Sequence, residues 1–210
     1  MTDPHPIPSP SREGHPFRVV LTGGPGGGKT TAADLFRREI GHGVIVVPEA
    51  ATLLFSGGFP RPSEPAAIRS AQNAIYHVQR GLEDIQAAHY PDRVLLCDRG
   101  TVDGGAYWPD GADSFFASVG SSHGAELERY DAVIFFETAA AGGHGFESEN
   151  RFRTESQQEA IELDGELRSM WSDHPDFTLI PHTASFFRKM TVSLGILENL
   201  VAQLPGENER

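Results

Sequence analysis

The residues best suited to chemistry stand in one run, Gly23-Gly24-Pro25-Gly26-Gly27-Gly28-Lys29-Thr30, which fits the spacing G-x-x-x-x-G-K-[ST] at every fixed position. Backbone N–H groups converge on phosphate oxygens only where no Cβ intervenes, and glycines supply both that access and the positive φ angles of a tight loop. In such a loop Lys29 is expected to reach the β- and γ-phosphates of ATP, and the Thr30 hydroxyl to ligate Mg²⁺. Gly23, Gly24, Pro25, Gly26, Gly27, Gly28, Lys29, Thr30 and Thr31 are the expected nucleotide-binding residues. As a loop residue, Lys29 is expected to be exposed and to add little to stability.

Two acidic residues follow apolar runs that read as strands. Asp98 comes directly after Val94-Leu95-Leu96-Cys97, at the carboxyl end of a strand, where α/β sheets bind ligands. Beside a phosphate loop such an Asp holds Mg²⁺ directly or through water; the competing reading is a turn cap before Gly100. Arg99 next to it could fork onto a substrate oxyanion or be an ordinary surface charge. Glu49 follows Val44-Ile45-Val46-Val47-Pro48 and would point into the same crevice, as a base for an acceptor hydroxyl or as a first-turn Glu favouring a helix dipole. The sequence does not choose between Glu49 and Asp98 as the base.

Further candidates flank these. Arg151 and Arg153 follow a Gly-rich stretch and, in extended chain, face one side, placed to neutralise a transferring phosphoryl group or to pair with Glu147, Glu149 or Glu155. Gln72, Tyr76 and Gln79 make an i, i+4, i+7 stripe that could read an acceptor, although solvation is the commoner fate of such a stripe. Asp103, Gly104, Gly105, Tyr107 and Trp108 offer a second acceptor wall. The nine histidines show no metal-ligand spacing, so no zinc site is expected.

The elements that must position these residues are legible as periodicity. Phe17 to Thr22 reads as the buried strand before the loop, and Thr31 to Ile40 as the helix after it. Gly43 to Val47, Val94 to Cys97, Ala132 to Phe136 and Phe177 to Ile180 are short apolar runs without alternation, the mark of parallel strands covered on both faces. Glu64 to Ala88 reads as a long helix packing on Ile68, Ala71, Ile75, Val78, Leu82 and Ile85. Further helices are expected from about Glu155 to Trp171 and from Ser185 to Leu204, with a small mobile lid at about 139–156 between strand and helix. The expected fold is α/β, a three-layer P-loop arrangement with about five parallel strands and helices on both faces. One domain over 17–205 accounts for the length, between a Pro-rich tail at 1–16 and a short tail at 206–210.

Composition narrows the classes. Of 17 Lys+Arg only Lys29 and Lys189 are lysines, and the net charge of -12 disfavours a nucleic-acid surface. A single cysteine, Cys97, suits a reducing compartment, and neither a membrane span nor a signal peptide is read, so the expected location is cytoplasmic. The oligomeric state is left open, homodimer included.

With Val47-Pro48-Glu49-Ala50-Ala51, Cys97-Asp98-Arg99-Gly100, Tyr130-Asp131-Ala132-Val133-Ile134-Phe135-Phe136, Arg151-x-Arg153-x-Glu155, Ile161-Glu162-Leu163-Asp164, Trp171 and His174-Pro175, the phosphate loop resembles the nicotinamide-riboside-kinase-like AAA-domain group of P-loop proteins over most of 17–200. The resemblance implies a fold like that of nucleoside and nucleoside-monophosphate kinases. It matches Asp98 and Arg99 to the acid–arginine pair after the third strand, and Glu49 to the acidic position after the second strand of deoxynucleoside kinases. The expected activity is ATP- and Mg²⁺-dependent phosphoryl transfer to a small-molecule acceptor, a nucleoside-like one leading. The competing class is an ATP-binding or hydrolysing regulatory module. Such ATPases usually place a Glu directly after the strand-end Asp to activate water, where this chain has Arg99. With lysines only at 29 and 189, no Asn-Lys-x-Asp guanine-reading motif exists.

Overall fold

The computed structural model describes residues 16–142 and 156–202. The apolar runs form β1 (Arg18–Thr22), β2 (Val44–Val47), β3 (Val94–Asp98), β4 (Ala132–Phe136) and β5 (Phe177–Ile180). They make one sheet in the order β2-β3-β1-β4-β5, every neighbouring pair parallel. Parallel neighbours cannot be joined by a tight turn, so each crossover carries helix and the sheet is covered on both faces. The strand ending in Asp98 lies beside the strand that feeds the loop, with Leu21 in register with Asp98.

The helices are α1 (Lys29–Ile40), α2 (Ala50–Ser56), α3 (Pro65–His89), α4 (Ala112–Ser118), α5 (His123–Leu127), α6 (Gln157–Trp171) and α7 (Phe186–Ala202). Pro65 opens α3 at a position where its missing N–H costs nothing. Ser156 and Glu159 close a capping box on α6: Glu159 N–H donates to the Ser156 hydroxyl at 3.3 Å and Ser156 N–H to the Glu159 carboxylate at 2.6 Å. Side-chain alternation along the strands divides the core. Val19 and Leu21 pack with Phe36 of α1 and Met190 and Leu197 of α7, while Val20 packs with Tyr76 of α3, Phe115 of α4 and Trp171 of α6. Each such fully buried Leu or Phe contributes about 1.5–3 kcal/mol. No helix among the described residues is long and apolar enough to cross a membrane.

Three expectations change. The long helix buries only part of the stripe its apolar period marks: Ala71 is buried and Leu82 packs on the core, but Ile85 is 55% exposed, and the other buried side chains are the polar Tyr76, Gln79 and Glu83. A neighbouring charge network satisfies these polar groups, so burying them costs less than the period implies. Trp108 belongs to the core, tilted against Phe115 at 5.4 Å, rather than to an acceptor wall. Of the stretch read as a mobile loop, Ala139–Gly142 forms a 3-10 turn with Ala140 buried; the rest of it to residue 150, with Arg151 and Arg153, lies outside the described residues.

Candidate active site

From the end of β1 the chain turns through Gly23, Gly26 and Gly28 at φ of 127°, 73° and 94°. A side chain on Gly23 or Gly27 would run into the Phe136 carbonyl at the end of β4, so close approach to that strand as well as φ demands glycine here. α1 begins at Lys29, and the positive end of its dipole faces the loop, a ready anion site. Lys29 is not the exposed loop lysine the motif suggests. It is 3% exposed, and Nζ donates to the Gly23 carbonyl at 2.7 Å and the Gly24 carbonyl at 2.8 Å, so it supports the loop as well as charging it.

Beside the loop, Asp98 is buried, and its Oδ2 accepts from the Thr30 hydroxyl at 2.9 Å, so it does not cap the turn before Gly100. Burial first, then repulsion from Glu49, holds its pKa above the ordinary aspartate value against the pull of Lys29, the Thr30 hydroxyl and Arg99. A carboxylate and a hydroxyl in contact are hard oxygen donors of the kind Mg²⁺ takes, and a cation would relieve the same repulsion.

Glu49 sits at the N-cap position of α2 without capping a backbone N–H. Its Oε1 accepts from Arg99 Nε at 2.7 Å and its Oε2 from the Thr52 hydroxyl at 2.5 Å. Burial alone would raise its pKa, but Arg99, Thr52 and Lys29 outweigh burial and leave it below the usual glutamate value, ionised at neutral pH. Arg99 is the one non-glycine with positive φ, 71°, among the described residues, a conformation costing about 1–3 kcal/mol. Its N–H donates to the Leu21 carbonyl at 3.0 Å, and its guanidinium spans Glu49 and Asp103, the latter at 3.0 Å. Asp103 lies in a 3-10 segment, Thr101–Tyr107, and its other oxygen accepts from the Thr22 hydroxyl at 2.7 Å and Trp171 Nε1 at 2.6 Å. One carboxylate thus joins the end of β1, the segment after β3 and α6.

A cavity of about 320 Å³ opens from Pro25 of the loop, past Glu49 and Arg99, to the face of α3. Phe55, Ile68, Ile75 and Phe115 make its apolar walls, and Gln72, half-buried, lines it. The helix stripe expected to be solvated is divided. Tyr76 and Gln79 are buried although both line the cavity, and the Tyr76 hydroxyl donates to Glu126 at 2.7 Å. Gln79 Oε1 accepts from Ala50 N–H at 3.3 Å, and Nε2 donates to the Arg99 carbonyl at 3.2 Å and to Glu83 at 3.1 Å. Gln79 therefore ties the corner bearing Glu49 to the strand end bearing Arg99, a brace that periodicity does not disclose. Asp164, in the sequence only part of a motif that carries the resemblance, gains a role here: its Oδ1 accepts from the N–H groups of Gly24 and Thr138 at 2.8 and 2.9 Å. The signal available was a charge inside the buried stripe Ala160, Asp164, Leu167, Trp171 of α6.

A family model described as an AAA domain matches residues 18–186. No curated protein matches the sequence. Among solved structures, the deoxyadenosine kinase from M. mycoides with bound dATP superposes with a TM-score of 0.61 at 13% identity, over 87% of this chain and 99% of that one. Thymidylate kinase from Ehrlichia chaffeensis superposes with a TM-score of 0.58 at 10% identity, over 89% and 99%. At these identities the likeness is one of fold, the five-stranded parallel sheet of the P-loop kinases.

Proposed function

Since the chain belongs to this AAA-domain family, whose matched span contains the whole loop and cleft, we propose that it is an ATP- and Mg²⁺-dependent kinase. It transfers the γ-phosphoryl group to a hydroxyl of a small, uncharged, nucleoside-like acceptor. The observation that carries the reading is the cavity that opens from the phosphate loop onto the paired Glu49 and Arg99. An acceptor there lies between the nucleotide's phosphates and a carboxylate already ionised.

The chain's residues divide the work. The loop N–H groups and the first turn of α1 hold the phosphates, and Lys29 neutralises them. Thr30 and Asp98 would hold Mg²⁺, which supplies charge neutralisation on the phosphate oxygens. Glu49 accepts the acceptor's hydroxyl proton as the new O–P bond forms and the bond from γ-phosphorus to the ADP oxygen breaks. Arg99, kept in place by Asp103, offers its guanidinium to the transferring group. Arg151 and Arg153 remain proposed partners of the same phosphates. Gln72, on the cavity wall with Tyr76 beneath it, can hydrogen-bond a base or an equivalent polar edge.

Charge favours a neutral acceptor over a monophosphate. The acidic side chains on the cavity wall are Glu49 and Asp103, and the basic ones Arg61 and Arg99. Arg99 is held between both carboxylates, and Arg61 lies over the Phe55 ring at 4.3 Å. A phosphate acceptor would meet as much negative as positive charge. Of the two structural neighbours, one is a nucleoside kinase by name.

The test is a panel of nucleosides, nucleoside monophosphates and simple polyols, scored by ADP formation above the no-acceptor background with purified protein and Mg-ATP. Stimulation by a nucleoside-like alcohol supports the reading. Stimulation only by monophosphates overturns the acceptor assignment, and a background rate that no acceptor raises overturns the kinase assignment.

A further inference from the structure

The phosphate loop is held from a side that its own motif does not contain. Asp164 of α6 is buried, and one oxygen, Oδ1, accepts both the Gly24 N–H at 2.8 Å and the Thr138 N–H at 2.9 Å. Thr138, two residues past β4, in turn donates its hydroxyl to the Pro25 carbonyl at 2.6 Å. Two successive loop residues are thereby fixed to the exit of β4 and to α6. The Gly24 peptide groups are held from two directions, N–H by Asp164 and carbonyl by Lys29 Nζ. A Cβ on Gly24 would collide with the Asp164 side chain, so the contact is as close as a glycine allows.

These two supports differ in what a nucleotide does to them. A lysine that turns to a phosphate oxygen weakens its bonds to the Gly23 and Gly24 carbonyls. The Asp164 bonds do not involve Lys29: the Gly24 N–H is turned to the carboxylate and Thr138 stands outside the loop, so neither bond has to break when the lysine turns. On the reading that this loop binds a nucleoside triphosphate, we propose that Asp164 is a positioning residue for nucleotide binding. It keeps the entry of the loop in its receiving conformation, through Gly24, while Lys29 moves to the phosphates. Preorganisation of this kind raises affinity by removing an ordering cost from the binding step.

Electrostatics alone makes the opposite forecast, and that makes the idea testable. A negative charge near the loop repels an anionic ligand, so if only charge mattered, removing it would tighten ATP binding. If the hydrogen bonds matter, an amide oxygen at the same place serves as well as a carboxylate, because both bonds go to one oxygen.

The experiment measures Kd for Mg-ATP by calorimetry, with thermal unfolding of each protein, for wild type, Asp164→Ala, Asp164→Asn, Thr138→Val and the Asp164→Ala/Thr138→Val double variant. Asp164→Ala is expected to weaken binding tenfold or more and Asp164→Asn to stay within threefold of wild type. Thr138→Val should weaken binding severalfold, and the double variant by less than the product of the two, because both hold one loop. Asp164→Ala binding as well as wild type or better overturns the inference, as does Asp164→Asn matching the loss of Asp164→Ala. A fall in Tm with unchanged Kd also overturns it, since that is a structural role only. If Asp164→Ala does not fold, Asp164→Asn and Thr138→Val decide: a tenfold loss in the first or no loss in the second refutes the positioning role. Wild type failing to bind Mg-ATP overturns the nucleotide reading and this inference with it, whereas variant results against a binding wild type bear on Asp164 alone.

Discussion

Glu49→Gln removes one charge from the cleft and little volume, and the structure gives the size of both consequences. The side chain is 17% exposed, its Oε1 takes Arg99 Nε at 2.7 Å, and its Oε2 takes the Thr52 hydroxyl. Glutamine can still accept from one of them, so the loss is the difference between a charge-assisted and a neutral hydrogen bond, about 1–2 kcal/mol. Arg99 keeps Asp103 at 3.0 Å, so no guanidinium is left unpaired. For a chain of this length that corresponds to a fall in Tm of about 2–8 °C. The kinetic effect should be larger. A general base contributes about 10²–10⁴ in rate, equivalent to about 3–5 kcal/mol of barrier. Phosphoryl transfer to the best acceptor of the screen should fall by that factor. ATP hydrolysis without acceptor and Kd for Mg-ATP should change by less than threefold, since a carboxylate near phosphates does not assist their binding. A coupled assay for ADP, run with and without acceptor, separates the two rates. Equal loss of transfer and hydrolysis, or transfer above a tenth of wild type, would refute Glu49 as the base and leave it as the partner that orients Arg99.

Three further perturbations read other parts of the cleft. Lys29→Ala should lower turnover by about 10²-fold or more and, because Nζ also carries the Gly23 and Gly24 carbonyls, lower stability by about 1–3 kcal/mol, checked by turnover beside thermal unfolding. Asp98→Asn keeps an acceptor for the Thr30 hydroxyl but loses a negative charge, so a Mg²⁺ titration of activity should need about tenfold more metal; an unchanged titration would return Asp98 to a structural role. Lys189 supplies a pH test of stability. Burial pushes its pKa from 10.5 down to about 8, against the raising influence of Glu137 and Asp164, with Nζ donating to the Glu137 carbonyl at 2.7 Å beside the Phe136 ring. Between pH 8 and 10.5 the unfolded chain therefore binds more protons than the folded one, and stability rises with pH across that window. The free energy of unfolding of wild type minus that of Lys189→Met, from urea titrations, should climb by up to about 3 kcal/mol over that range, and a flat difference would refute it.

How much of this was legible beforehand depends on what each feature needs. The phosphate loop is local: eight consecutive residues, a strand period before and a helix period after, so spacing alone fixed its place and its helix. The five strands were legible for a similar reason, because a two-faced parallel strand must be apolar throughout. Only a few residues at their ends moved, as at β3, which runs on to include Asp98. That Glu49 and Asp98 should share one crevice followed from both ending parallel strands of one sheet.

The partners of those residues were not legible, because most are far apart in sequence and the near ones meet only once the chain turns back on itself. Arg99 could be read as a free fork for substrate; only the fold brings Glu49 and Asp103 to either side of it. Gln79 and Tyr76 looked like a solvated stripe because helical period registers apolar residues, while burial of polar ones depends on acceptors such as the Arg99 carbonyl and Glu126 that other elements supply. The same holds for Lys29 and Asp164, whose bonds to the loop need the chain to close on itself and α6 to pack against it. The sequence by itself determined the sheet and the loop, since these follow from residue types at short range. Tertiary structure alone decided which charges are paired, which are buried and which face the cavity. Those properties are energies of contact between elements, and no spacing along the chain encodes them.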